Sequence, residues 1–307
     1  MSIAGVKPYR IVFLGMEGIF SGIPLEALIE HGANIVGVVL PRPTKDQLGP
    51  KWLPRTKRLQ SELPILNKRA LKTIRTLAGD NNIPVLSVGD LKEEQTVSAF
   101  QDLEPDLVIT ACFPRQLPKS WLEIPMVGCL NLHPSLLPAY RGPSPLFWQF
   151  RNGEKDTGVT LHFMGAEIDA GDIVGQKSVV FEEGITSIEA DRLTAKAGAA
   201  LILEALSKSE IPRVPQPKEK ASYQPRPTEM VRTIPLDWSV QHAYNFLRGA
   251  QDWAPFWIDL GEGRYIQTSK VLAYELKVDQ GTAVIEDSEV ISVQMKDGVL
   301  KVQGERV

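Results

Sequence analysis

The chain has 307 residues, 43% of them hydrophobic and 23% charged, a globular composition with enough apolar material for two domains. Its formal net charge of −3 gives no global attraction to nucleic acid or to an anionic membrane, so any such contact must come from a local patch. Cys112 and Cys129 are too few for a disulfide scaffold; with no leader-like start and no apolar run of membrane-spanning length, the expectation is a soluble cytoplasmic protein without membrane contact.

Residues 10–15 form an apolar run ending at glycine, 24–30 are amphipathic, and 34–40 are apolar again. Strand, helix and strand at this spacing predict a βαβ unit and a parallel sheet. Gly15, Gly18 and Gly22 lack the GxGxxG spacing, and no phosphate-binding loop motif occurs, so a nucleotide cofactor is not indicated. A basic, proline-rich excursion follows over 41–80, with Arg42, Lys45, Lys51, Arg55, Lys57 and Arg58 in its first part. A solvated surface loop and one whose six basic residues contact phosphate both fit that pattern.

Further strands are expected at 83–87, 106–111, 127–132, 158–164 and 173–180, with helices near 91–103, 145–151 and 188–207. The first part therefore reads as α/β, a Rossmann-like, mostly parallel sheet with helices on both faces. Residues 211–227 hold five prolines, as a surface linker would. Beyond them come one short helix at 240–247 and strand-like runs at 256–260, 265–268, 271–276, 282–285, 290–295 and 299–302, punctuated by glycines. The expected organisation is a catalytic domain over 1–210, a linker over 211–230, and a small all-β domain, a barrel, over 231–307.

Chemistry concentrates at two places. An apolar strand arrives at Asn131 and His133, which lie two residues apart and so share a side of an extended backbone; Pro134 and Pro138 then stop the strand. Polar groups at the end of a parallel strand occupy the usual site position of an open α/β sheet. The second place is the turn after the 158–164 strand, where Gly165 and Gly171 flank carboxylates at Glu167, Asp169 and Asp172. Asparagine, histidine and aspartate together can carry acyl transfer without a metal: the amide donates to a developing oxyanion, the imidazole donates or moves a proton, and the carboxylate supports the imidazolium. No metal-ligand spacing appears.

The segment Asn131-Leu-His-Pro-Ser-Leu-Leu-Pro-Ala-Tyr-Arg-Gly142, continued by Asn152-Gly-Glu, Thr157-Gly-Val-Thr160 and Glu167-Ile-Asp-Ala-Gly-Asp172, resembles the signature of the folate-dependent formyltransferase family. The resemblance implies that Asn131, His133 and Asp169 are catalytic, that Asp172 supports the turn, and that 10-formyltetrahydrofolate is the co-substrate. It further implies a folate pocket lined by Phe113, Pro114, Arg115, Gln116 and Leu117, by Ser135, and by Gly165, Ala166, Glu167 and Ile168, with the pterin held largely by backbone groups. Ile234-Pro-Leu-Asp-Trp238, the helix after it and the β-rich end resemble the two-domain members, whose C-terminal domain is OB-like. That layout and the basic excursion favour the amine of methionyl initiator tRNA as acceptor. An amino sugar or other small amine, and water, remain as alternatives, and a non-catalytic folate-binding module is the reading from another class. Two departures run against the tRNA acceptor: Ala250-Gln-Asp-Trp-Ala-Pro-Phe-Trp257 replaces the usual Asn-Pro-Trp-Pro-Gly, and Pro143-Ser-Pro145 replaces Ala-Ala-Pro. The sequence does not give the oligomeric state.

Among the other candidates, His31 is expected to cap the first helix, His162 either packs or lines the cleft, and His242 is expected on the surface. Trp238, Trp253 and Trp257 are expected in the core of the small domain.

Overall fold

The computed structural model describes residues 8–42, 49–56, 73–287 and 289–307. The chain divides into two compact units, the first formed by Met1–Arg141, Gly158–Val179 and Asp191–Tyr223, the second by Gly142–Thr157, Val180–Ala190 and Gln224–Val307.

In the first unit, β1 (Ile11–Gly15), β2 (Ile35–Pro41), β4 (Val85–Val88), β5 (Leu107–Ala111) and β6 (Gly128–His133) run parallel, while β3 (Lys51–Leu53) and β7 (Asp156–Phe163) join antiparallel. With β8 (Ile173–Val180) the sheet order is β3-β4-β2-β1-β5-β6-β7-β8. Alternation along the strands divides the core between the two faces. Ile11, Phe13, Leu107, Ile109, Leu130 and Leu132 point one way, against α1 (Ile19–Glu30), α2 (Ile74–Asp80) and α6 (Ser187–Ser207). Val12, Leu14, Val108 and Cys129 point the other way, against α3 (Glu94–Gln101) and α4 (Lys119–Leu122), whose Phe100 and Trp121 rings stack at 4.0 Å. Both faces are thus covered, and the central strands can be apolar throughout.

Helix α1 begins five residues before the expected 24, so Pro24 lies inside it. The proline removes one backbone donor, but burial of Phe20, Leu25 and Leu28 along the helix compensates. His31 is its C-terminal cap residue, with Nδ1 2.7 Å from the Ala27 carbonyl.

The second unit carries the sheet β12-β13-β14-β11-β10-β9, built from β9 (Thr233–Pro235), β10 (Phe256–Gly261), β11 (Arg264–Leu276), β12 (Val284–Asp287), β13 (Val290–Met295) and β14 (Gly298–Arg306). The expected strands at 265–268 and 271–276 are one strand, β11. Its pairing with β14 shifts at Thr268, whose hydroxyl donates to the Gln303 carbonyl at 2.7 Å and accepts from the Lys270 amide at 3.2 Å, bridging the irregularity.

The same unit contains α5 (Pro145–Arg151) and α7 (Val240–Gly249). Phe246 of α7 meets Phe147 at 5.4 Å and Phe256 at 5.3 Å between ring centroids. Two expectations are corrected here. His242 is half-buried, not a surface residue: its ring stacks on Trp238 at 3.9 Å and Nε2 donates to the Arg151 carbonyl at 3.0 Å. Trp238, Trp253 and Trp257 are half-buried, and Phe246, Phe256 and Ile258 fill the core instead. Two of the indoles keep a face for a cation, Arg151 lying 4.4 Å from the Trp238 centroid and Arg232 5.0 Å from that of Trp257. Among the described residues, no helix is long and apolar enough to cross a membrane.

Candidate active site

The strand order β4-β2-β1-β5-β6 reverses direction between β1 and β5, so the crevice of this open sheet lies at their carboxyl ends. Ser21 ties those ends together, its hydroxyl donating to the Ala111 carbonyl at 2.7 Å and accepting from the Met16 amide at 3.0 Å. Strand β6 ends beside them. Leu130 and Leu132 turn into the core, which sends Asn131 and His133 to the other side.

Strand β7 pairs with β6 in the register Asn131↔His162, placing a second histidine opposite the asparagine. The turn after β7 then returns Asp169, 12% exposed at its side chain, to the same point. His133 Nδ1 lies 3.7 Å from Asp169 Oδ2, and His162 Nε2 lies 3.6 Å from Asp169 Oδ1. Asn131 Nδ2 is 3.5 Å from Asp169 Oδ1 and 3.1 Å from His162 Nε2.

The carbonyl partners decide the proton positions. Tyr140 O can only accept, so His133 presents Nε2–H to it at 2.8 Å and, when neutral, turns the Nδ1 lone pair towards Asp169. Phe163 O takes the Nδ1–H of His162 at 2.9 Å, leaving Nε2 to accept from Asn131. That contact orients the asparagine with its amide nitrogen towards the Asp169 carboxylate and its carbonyl elsewhere. Burial holds His133 below the ordinary imidazole value; Asp169 and the Tyr140 carbonyl pull the other way, and His162 adds to the lowering. A buried, neutral imidazole beside a carboxylate is suited to accepting a proton.

Three non-glycine residues around the site have left-handed backbone: Cys112 after β5 (φ 56°), Tyr140 (φ 61°) and Asp169 (φ 52°). Such conformations cost about 1–3 kcal/mol each and persist only when the surroundings fix them.

The Formyl transferase family model matches residues 10–206. A methionyl-tRNA formyltransferase of Clostridioides difficile is 31% identical over 299 residues, covering 96% of this chain and 91% of the relative. The chain belongs to the formyl transferase family.

Solved structures share the fold of this formyl transferase. An N-formyltransferase from Helicobacter canadensis, solved with folinic acid and dTDP-3-aminofucose, has a TM-score of 0.63 at 16% identity, over 97% of this chain and all 100% of that one. HypX from Aquifex aeolicus has a TM-score of 0.63 at 18% identity, over 98% of this chain, which spans only 46% of the length of HypX.

The two loops expected to hold folate meet: Gln116 Nε2 donates to the Ala166 carbonyl at 2.8 Å. Gly165, Ala166, Glu167 and Ile168 are exposed, as is Pro114, and Phe113 is half-buried. Leu117 is core. Arg115 binds the carbonyls of Arg42, Val88 and Gly89, closing the ends of β2 and β4. Ser135 is fully buried and its hydroxyl donates to the Ala139 carbonyl at 2.8 Å. The Asp172 carbonyl accepts from the Phe163 amide at 2.8 Å at the neck of the turn.

Of the six basic residues, Lys51 and Arg55 are exposed, Arg55 donating to Asn82 Oδ1 at 3.2 Å, and Arg42 donates to the Gly49 carbonyl at 2.7 Å. Lys45, Lys57 and Arg58 lie outside the described residues. Sequence reasoning left two contributors unassigned: His162, whose role depends on the β6–β7 register, and the Tyr140 carbonyl, which carries no side-chain signal.

Proposed function

We propose that this formyl transferase moves the formyl group of 10-formyltetrahydrofolate to the amino group of methionyl initiator tRNA, with Asn131, His133 and Asp169 as its catalytic residues. The observation that carries the reading is the convergence of these three side chains at the carboxyl end of β6, Asn131 and His133 lying 3.5 and 3.7 Å from the Asp169 carboxylate. Support for the acceptor comes from the full-length similarity to a methionyl-tRNA formyltransferase. The exposed, apolar Ile168 beside the Gln116–Ala166 contact suits a flat pterin edge held by backbone groups.

The folate supplies an activated formyl group. The Asn131 amide donates to the formyl oxygen as it takes on charge, and His133, neutral at the start, supports that charge as an imidazolium once it has taken the amine's proton. A preorganised donor of this kind contributes on the order of 10²–10³ in rate. The proton leaving the attacking amine passes to the His133–Asp169 pair and is returned to the departing folate nitrogen, so the carbon–nitrogen bond that forms balances the one that breaks. Asp169 also holds the imidazole against Tyr140. Within this proposal the C-terminal sheet is an OB-like module, and Lys51 and Arg55, with Arg42, Lys45, Lys57 and Arg58, contact tRNA phosphate.

Tetrahydrofolate release, followed with and without methionyl initiator tRNA, tests the reading. Release that requires the charged tRNA supports it. Release without an amine makes water the acceptor, and release only with an amino sugar makes the acceptor a small amine; either outcome contradicts the tRNA reading.

A further inference from the structure

Two of the partners of the His133 ring are backbone-strained, and one segment of the chain holds them both. Tyr140, which accepts from Nε2, and Asp169, which faces Nδ1, have φ of 61° and 52°. The segment 214–223 was expected within a surface linker, yet it belongs to the first unit. It enters by pairing Val214 with Ile173 through N–O contacts of 2.8 and 3.0 Å.

Gln216 follows, 8% exposed, with both ends of its amide engaged. Nε2 donates to the Asp169 carbonyl at 2.8 Å and to the Gly171 carbonyl at 2.7 Å. Oε1 accepts from Arg141 Nε at 3.1 Å and Nη2 at 2.7 Å. Six residues on, Ser222 closes the other arm: its hydroxyl accepts from the Tyr140 amide at 2.9 Å, its carbonyl accepts from the Arg141 amide at 2.9 Å, and its amide donates to the Pro138 carbonyl at 3.1 Å.

We propose that the 214–223 segment is a clamp for the catalytic pair, and that Gln216 is a positioning residue which sets Asp169 against His133 by tying the aspartate turn to Arg141. The proposal rests on the function given above. The amide is the side chain that fits the position: two acceptors lie on one side of it and a cation on the other, and a primary amide presents two donors and an acceptor in that order. A carboxylate would keep Arg141 but face two carbonyl oxygens, and an apolar chain would satisfy neither side.

Two substitutions separate clamping from mere filling. Gln216→Met keeps the volume and removes all four bonds; Gln216→Glu keeps the Arg141 bonds and removes only those to the aspartate turn. Both are expected to lower kcat by on the order of 10- to 100-fold, as a displaced catalytic group does, with the folate KM little changed. A second readout needs no substrate. Asp169 and Tyr140 raise the imidazole value while burial and His162 lower it, so loosening the turn moves the His133 titration, followed by NMR of the ring protons, to lower pH in Gln216→Met, which adds no charge of its own.

A folded Gln216→Met protein with wild-type kcat and an unmoved His133 titration overturns the clamp, as does wild-type kcat in Gln216→Glu. If Gln216→Met does not fold, Ser222→Ala, which removes the hydroxyl bond to Tyr140, takes its place. Wild-type kcat and an unmoved titration in that variant are equally contrary, and a shifted titration with lowered kcat supports the clamp. A wild-type protein that never releases tetrahydrofolate refutes the function and not the clamp, because the His133 titration still decides the latter.

Discussion

His133 sits between one partner that only accepts and one that is charged, and most of the chemistry follows from that. The Tyr140 carbonyl fixes the Nε2 proton, so a change of protonation takes place at Nδ1, where Asp169 waits. Because burial lowers the imidazole value, the acid limb of kcat/KM should lie below 6.5, activity being lost as pH falls through the His133 value. Asp169→Asn removes the larger of the two influences that oppose the lowering. The limb is then expected to move to still lower pH while kcat falls; a limb that moves upward would contradict the assignment. Asn131→Ala is expected to cost on the order of 10²–10³ in kcat without loss of fold, checked by steady-state rates beside a thermal melt. The two-residue spacing of Asn131 and His133 on an apolar strand made their shared side legible in the sequence. The place of His162 was not, since it depends on which β7 residue falls opposite Asn131, and strand register is a long-range property. Gln216 was hidden for a different reason: a proline-rich, charged stretch has the composition of a linker whether or not one side chain within it is buried.

At the scale of elements, the turn between β7 and β8 is packed against its own strand. A Cβ at Gly171 would stand 2.0 Å from the Phe163 carbonyl oxygen, which is backbone and cannot move aside. Gly171→Ala is therefore expected to destabilise the protein by about 1–3 kcal/mol, as overpacking does, and to displace Asp169 two residues away. A thermal melt beside the kcat measurement checks both, and an unchanged melt with unchanged kcat would show the turn to be slack. Apolar runs marked β1, β2, β5 and β6 within a residue or two, because buried parallel strands carry a plain signal. Short elements such as β3, α4 and β9 carry too few residues for a period to show. The pair Ser269 and Lys270 is the reverse case: two polar residues read as a break between two strands, yet the Thr268 hydroxyl beside them bridges the irregularity within β11.

At the scale of the whole molecule, contact does not follow chain order. Residues 142–157 and 180–190 join the C-terminal sheet in one unit, while 191–223 return to the first. Composition marks where a chain turns polar and says little about which neighbours a segment finds. Stability should carry the mark of two histidines, one buried and one half-buried. His133 and His242 are both lowered by burial, so the unfolded chain takes up protons near 6.5 before the folded one does. The melting temperature is expected to hold above that pH and to fall as pH drops below it, and His242→Gln should flatten part of the fall. A melting temperature that rises on acidification would contradict this.

The most direct test of the account is the fate of a labelled formyl carbon. With 10-formyltetrahydrofolate labelled at that carbon and methionyl initiator tRNA present, the label is expected on the methionine amine in the wild type and to be reduced to near background in a folded Asp169→Asn protein. Label that remains off the tRNA in the wild type, or reaches it at an undiminished rate in the variant, would contradict the central claim.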